Sequence, residues 1–440
     1  MPTRRRLLLS TAAAGLAGLG VLTGCSRGGG GDEAPPENAL RMRVWSEAAA
    51  SAYETSLAQF TDRTGIAVAL EVLPWEEYWS TLPLDVAAES LPDVLWMNTA
   101  QLAQAQQSGQ LLDIGEALGD LSAQWEQVAT DLYRREDALW AVPQVYDQSL
   151  LLAHDDLLAD TGVDPSALTF DPAAPTDPLR DAARALTADG EGRHPGDEGF
   201  DAASRTTFGF SAHPDRTAVI GPFIAGNGGT WQDEEESFVF ASEQGIAAVQ
   251  YLADLAGEHL APAGGETAAA PNLCRDLFGQ GRLGLLQTGT YDLGALSSTI
   301  DGAFPWSVHP VVTGPQGPHP VVHAIGAVGI DSDDDERAEQ ITALLEWLGG
   351  VDGQRPLAAA RIGIPAHRDL RAAWVEAWAG HGVDVSALAV PETVARPETG
   401  LRSAEAVEAA MPIFAEVFTG QAPASDALPR AQQAAEEVSG

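Results

Sequence analysis

Apolar and polar positions alternate with two different periods from residue 40 onward, and the switches between them mark out the first elements. Leu40, Met42 and Val44 alternate with Arg41 and Arg43, the period of a half-exposed strand. Tyr53, Leu57 and Phe60 then fall on one helical face, and Gly65 reads as the helix stop. Ile66, Val68, Leu70 and Val72 alternate as a second strand ending at Pro74, and Tyr78, Leu82 and Val86 return to helical spacing. Pro83 predicts a kink or two short helices there, because a proline inside a helix removes one hydrogen bond and clashes with the preceding turn. Val94 to Met97 is a short apolar strand. Strand, helix, strand, helix, strand within so short a span predicts parallel strands joined by right-handed crossovers, hence an α/β layered lobe.

Later segments repeat this grammar. Ser242 can cap a helix whose Ile246, Val249 and Ala253 face the core, and Ser332 with Asp335 forms an S-x-x-D capping box ahead of Ile341, Leu344, Leu345 and Leu348. Residues 171 to 203, rich in Asp, Pro, Gly and Ala, read as a helix followed by a long surface loop.

Three motifs that would carry chemistry fail on context. Gly279 to Gly284 spells G-x-G-x-x-G, but a helix precedes it and a strand follows, the reverse of a dinucleotide fingerprint. His319 and His323 flank Pro320, Val321 and Val322, an extended segment that would hold the rings about 13 Å apart, too far to share a zinc. Asp331, Asp333 and Asp335 begin like a calcium loop, yet Glu336 and Thr342 stand where Gly and Glu are needed, and a helix N-terminus explains the acids. No cofactor and no metal is called for. A pair of catalytic carboxylates, as in a secreted glycoside hydrolase, is not positioned by any pattern.

Charge narrows the partners. The 440 residues carry 24 basic and 63 acidic side chains, a net charge of −39, so nucleic acid and anionic lipid surfaces would be repelled. The first residues are an address instead. Arg4, Arg5 and Arg6 precede an apolar stretch from Leu7 to Leu22 that is interrupted by Gly and Thr, the layout of an export signal rather than a bilayer span. The arginines resemble a twin-arginine signal, and Leu22-Thr23-Gly24-Cys25 resembles a bacterial lipobox. That resemblance implies cleavage after residue 24, a lipid on Cys25 and anchorage at the outer face of the cell membrane. Residues 25 to 39 read as a flexible tether, and Cys274 is left as a buried free thiol.

Aromatic residues gather at strand ends: Trp45 after the first strand, Trp75 and Tyr78 after the second, with Asn98 following the third, while Trp96 lies inside an apolar run and belongs to the core. In open α/β sheets the carboxyl ends of the strands line the ligand crevice, and indole and phenol rings offer flat faces to a sugar.

Four blocks, in order, carry a likeness to a known family: Phe60 to Val68 with Trp75 to Tyr78, Leu91 to Val94 and Gly109 to Asp113; Ala138 to Pro143 with Leu151 to Leu157; Gly228 to Trp231 with Phe278 to Gly284; and Trp347 with Gly353-Gln354 and Arg361 to Pro365. Over nearly all of residues 40 to 370 the chain resembles the extracellular solute-binding proteins of bacterial ABC importers, of the sugar-binding lipoprotein type. The resemblance implies a two-lobed periplasmic-binding-protein-like α/β fold with discontinuous lobes and a hinge, 40–143 plus 322–362 forming one lobe and 144–321 plus 363–440 the other. Pro143 and Gly326 are the expected hinge positions. It implies pocket residues Trp45, Glu47, Trp75, Tyr78, Asn98, Tyr146 and Asp147, then Gly229, Trp231, Tyr291, Asp292, His323 and Arg361. Trp231, after the run Gly226 to Gly229 and before four acids, is expected to present its indole from a solvated loop. The partners implied are a mono- or oligosaccharide and an ABC permease, with a polyamine or peptide as the alternative ligand and no chemistry on the ligand.

Overall fold

The computed structural model describes residues 36 to 439 except 37 and 160; the export signal, Cys25 and most of the tether lie outside the described residues. The strands are β1 (Leu40–Val44), β2 (Val68–Val72), β3 (Val94–Asn98), β4 (Arg134–Arg135), β5 (Ala138–Leu139), β6 (Val142–His154), β7 (Phe208–Phe210), β8 (Leu283–Gly289), β9 (Trp306–His309), β10 (Val322–Gly329) and β11 (Ile364–Pro365). β1 pairs in parallel with β2 and β3, as the alternating periods predict. The main sheet runs β2-β1-β3-β10-β6-β8-β7, with β9 and β11 also on β6.

The helix Glu47–Thr64 buries Tyr53, Leu57 and Phe60, is capped by Ser46 and stops at Gly65, whose φ of 78° suits a residue without a side chain. The helix Trp75–Ala87 runs unbroken through Pro83. Tyr78 and Leu82 are both buried, and this anchorage outweighs the one backbone bond that proline removes. The helix Asp335–Gly349 is capped by Asp334, not by Ser332, because the Asp334 carboxylate reaches the Arg337 N–H at 3.0 Å. Ser242 caps its helix as expected, and Cys274 is buried and free.

β6 is the spine of both lobes. Its first half pairs with β10 and β11, and its second half from Ser149 pairs with β8 and β9. The handover therefore falls at Gln148–Ser149, where the Ser149 N–H donates to the Val321 carbonyl at 3.0 Å and ties the outgoing crossing to the returning one. Pro143 and Gly326 are not at the handover: they face each other within the first lobe's sheet, beside a bulge at Ile325 and Gly326. Gly326 is required by close approach, since a Cβ there would lie 2.7 Å from the Ala141 methyl and 2.9 Å from the Tyr133 ring.

The stretch from 363 also sits elsewhere than expected. Ile364 pairs with Tyr146, His367 bridges to Trp125, and the helix Arg371–Ala379 packs on the helix Val351–Ala359, which itself packs on Glu47–Thr64. Residues 364 to 388 thus pack with the first lobe, and the chain returns to the second near residue 395. There the helices Ser403–Phe418 and Ala424–Ser439 pack on the helix Glu243–Gly257.

Candidate functional site

Where β3, β10 and β6 run side by side, one face of the sheet is left half-covered. His323 pairs directly with Asp147, and Ile325 with Asn98. Paired residues of an antiparallel ladder share a face, as do residues two apart along a strand, so Asn98, Ile325, His323 and Asp147 form one row. All four are half-buried, while Val145, which pairs with Ile325 in the same row, is sealed beside β11; Met97, Ala324 and Tyr146, which point the other way, are fully buried. The same alternation that builds the core thus leaves a polar strip open.

The second lobe closes on this strip through the end of β8. The Thr290 hydroxyl donates to Asp147 at 2.5 Å and accepts from the Gln148 N–H at 3.2 Å. Asp292 accepts from Thr288 at 2.6 Å and from Arg275 at 3.2 Å, and Tyr291 between them is 48% exposed. Asp215, whose carboxylate caps the turn at Arg216–Ile220 by accepting from the Ala218 N–H at 2.7 Å, adds its charge beside Tyr291 and His323. Burial, with Asp292 nearby, pushes the Asp147 carboxyl up to about 6 despite the Thr290 hydrogen bond. Burial, with the Arg216 charge, pulls His323 down to about 4, against the pull of Glu398 and Asp215. At neutral pH the strip therefore offers a carboxylate acceptor and an uncharged imidazole that both donates and accepts, a set suited to hydroxyl groups.

Aromatic rings gather where β1, β2 and β3 end, and reach β3 at Trp96, two residues before Asn98. Trp45 meets Trp75 at 5.4 Å, Tyr78 at 5.1 Å, Trp79 at 5.3 Å and Trp96 at 5.0 Å between ring centres. Of these, Trp75 is 52% exposed and presents a free indole face. Tyr78 lies beneath instead, with its hydroxyl donating to the Trp96 carbonyl at 2.5 Å, so it is a core residue. Trp96 is in the core as expected, its indole N–H donating to Tyr53 at 3.2 Å.

The other expected residues separate. Tyr146 is buried, its hydroxyl accepting from Arg371 at 3.0 Å, on the face opposite Asp147. Glu47 is exposed in the first turn of its helix, and Asn98 also caps the turn at Thr99 by accepting from the Gln101 N–H at 3.0 Å. Arg361 is turned to its own lobe, with its guanidinium 5.2 Å from the Trp378 ring centre and 2.9 Å from His381. Trp231 lies on a loop, as expected, but its indole is not presented to solvent. It is 6% exposed, stacked between Phe240 at 4.6 Å and Phe414 at 5.7 Å, with Arg216 above it at 4.9 Å. Only its edge, with Gly229, reaches a cavity of about 410 Å³ shared with His319 and Arg396.

Sequence reasoning missed Asp215, Arg216, Thr290 and Glu398. Arg216 pairs with Glu398 at 2.6 Å, and both are buried. Burial raises and Arg216 lowers the Glu398 carboxyl, which ends below its usual range. No local pattern marks these residues, since 182 positions separate the pair and only topology joins them. Among the described residues no group of three or more His, Cys, Asp or Glu is placed to hold a metal ion, and no helix is long and apolar enough to cross a membrane.

The profile of the family described as bacterial extracellular solute-binding protein matches residues 45–355. Among solved structures, UspC of M. tuberculosis is 30% identical with a TM-score of 0.81, covering 91% of this chain and 100% of that one. The GacH receptor of Streptomyces glaucescens, solved unliganded and with acarbose, superposes with a TM-score of 0.70 at 18% identity, over 91% of this chain and 98% of its own. The maltose-binding protein MalE of Listeria monocytogenes, solved with maltose, gives 0.69 at 15% identity, over 91% and 97%. Two α/β lobes spanned by β6, a half-open polar strip at their junction and a family match over most of its length identify the chain as a member of the bacterial extracellular solute-binding proteins.

Proposed function

We propose that the protein captures a mono- or oligosaccharide between its lobes outside the cytoplasm and hands it to an ABC permease, leaving the ligand chemically unchanged. The observation that carries this reading is the strip Asn98, His323 and Asp147, with Tyr291 at its second-lobe end and the half-exposed indole of Trp75 among the aromatic rings that gather where the first-lobe strands end. Hydroxyl-matching polar groups between flat apolar faces are what a sugar ring requires. The saccharides in the GacH and MalE structures support the same class of ligand. An extracytoplasmic place accords with the family, and the lipobox-like tetrad ending at Cys25 supports a lipid anchor on the outer face of the membrane. A second reading, a polyamine or cationic peptide, is favoured by Asp147, Asp215 and Asp292 gathering around Tyr291. One thermal-shift screen decides between them. A ligand at 100 times its dissociation constant adds about 2.7 kcal/mol, so saccharides that raise the melting temperature while polyamines do not would uphold the first reading, and the reverse would replace it.

A further inference from the structure

Away from the crossing strands, one ion pair among the described residues joins the two lobes directly. Arg135 of the first lobe donates to Glu236 of the second at 2.7 Å, with the two side chains 23% and 36% exposed. Both ends are held by backbone in the left-handed region. β4 and β5 are joined by Glu136 and Asp137 with φ of 52° and 66°, a tight turn usually made with Asn or Gly, and its closing residue Arg135 also accepts the Trp140 indole N–H at 3.1 Å. Glu236 itself has φ of 64°, at the end of a turn fastened by the Asp233 N–H donating to the Ser237 carbonyl at 3.0 Å. Non-glycine residues in this region are strained, and such strain persists where surrounding structure enforces it. On the far side of Glu236, Gly400 makes room: a Cβ there would lie 2.6 Å from the carboxylate. Beside the pair lies a cavity of about 430 Å³ walled by Thr99 and Leu132 from one lobe and Gln232 and Thr399 from the other.

The acids around this mouth make the pair consequential. Asp131, 3.6 Å from Arg134, and Glu136 on one side face Asp233, Glu234 and Arg396 on the other across the same cavity, so charges of both signs line the mouth and the second lobe's side is the more acidic. Among the described residues Arg135 is the cation of the first lobe that reaches across to this acidic side, and Glu236 receives it.

We infer that Arg135 and Glu236 form a clasp that biases the ligand-free protein toward its closed arrangement, positioning the two halves of the site without touching the ligand. The inference rests on the two-lobed capture reading, but its test uses no ligand, so failure of either is visible separately. Small-angle scattering of the ligand-free chain is compared for the wild type, Glu236→Gln, Arg135→Gln and the neighbouring control Glu235→Gln. Gln keeps the size of each side chain, and melting curves verify that all four are folded. The clasp predicts a larger radius of gyration for Glu236→Gln and Arg135→Gln, corresponding to a closed-to-open ratio lowered roughly two- to fivefold. It also predicts that Glu235→Gln is no larger than the wild type. Profiles of Glu236→Gln and Arg135→Gln that superimpose on the wild type, or an equal expansion in Glu235→Gln, would overturn it.

Discussion

Trp231→Ala and Trp75→Ala remove the same side chain from two environments, and the structure assigns them opposite consequences. Trp231 is 6% exposed and stacked on Phe240 and Phe414, so its removal leaves a cavity in the second lobe. Truncating a buried Trp costs about 3 to 5 kcal/mol. The Trp231 indole nitrogen is buried without a hydrogen-bond partner, and losing it returns part of that penalty, which places the net near 3 kcal/mol at about the lower bound. With an unfolding entropy of about 2.1 cal/mol/K per residue, a lobe of roughly 200 residues has about 0.4 kcal/mol/K, and the melting temperature drops by about 7 °C. Trp75, at 52% exposure, loses only its edge contacts with Trp45 and Trp79, about 1 kcal/mol in all, so its melting temperature should fall by about 2 °C while a stacked ligand is lost about tenfold. Scanning calorimetry of both variants, followed by titration with the saccharide that most stabilises the wild type, separates the roles. A Trp231→Ala protein that melts like the wild type, or a Trp75→Ala protein that melts well below it, would refute the assignment.

Other outcomes follow from the same contacts. Asp147, with its carboxyl at about 6, must be ionised to accept ligand hydroxyls, so affinity should fall about tenfold between pH 7 and 5, and Asp147→Asn should flatten that profile in calorimetric titrations. Its folded pKa lies above the unfolded value, so ionising it as pH rises toward 6 costs stability. Asp147→Asn should therefore melt higher than the wild type at pH 7 even as it binds more weakly, and a lower melting temperature would count against this. His323, depressed to about 4, works in the other direction, losing stability as pH falls from 6.5 toward 4, so the two slopes offset in the ligand-free protein. Gly326→Ala should destabilise by about 1 to 3 kcal/mol through overpacking against Ala141 and Tyr133, measured by denaturant unfolding. Cys25→Ser should abolish incorporation of a fatty-acid probe in the native host, and a wild-type chain that takes up no probe would remove the anchor.

Local periodicity made the first lobe legible. Residues 40 to 97 alternate with the strand and helix periods that the structure adopts, because each amphipathic face has one core to meet. Faces within an element were less legible. Trp75 and Tyr78 stand three apart at the start of one helix, yet one opens to solvent and the other is sealed under Trp45, a difference set by the strand end above them. The acids after Trp231 do mark a solvated turn, but that turn folds back through Gln232 and Phe238 and tucks the indole against Phe414, far along the chain. The family likeness supplied Asp147, Tyr291, Asp292 and His323, and the register of β6 with β10 explains why the first and last of these share a face. Asp215, Arg216 and Glu398 carry no periodic or motif signal, since their grouping exists only once the third crossing returns near residue 395. The two-residue strand β11 is likewise too short to announce itself, so nothing in the pattern corrected the boundary at 363 that the resemblance implied.

Whether a sugar is held on the strip Asn98, His323 and Asp147 is read most directly by calorimetric titration of the wild type, Trp75→Ala and Asp147→Asn with a carbohydrate panel at pH 7. The structure predicts one saccharide site per chain, weakened about tenfold or more in each variant. A panel that produces no binding heat, or a saccharide that binds both variants as tightly as the wild type, would contradict it.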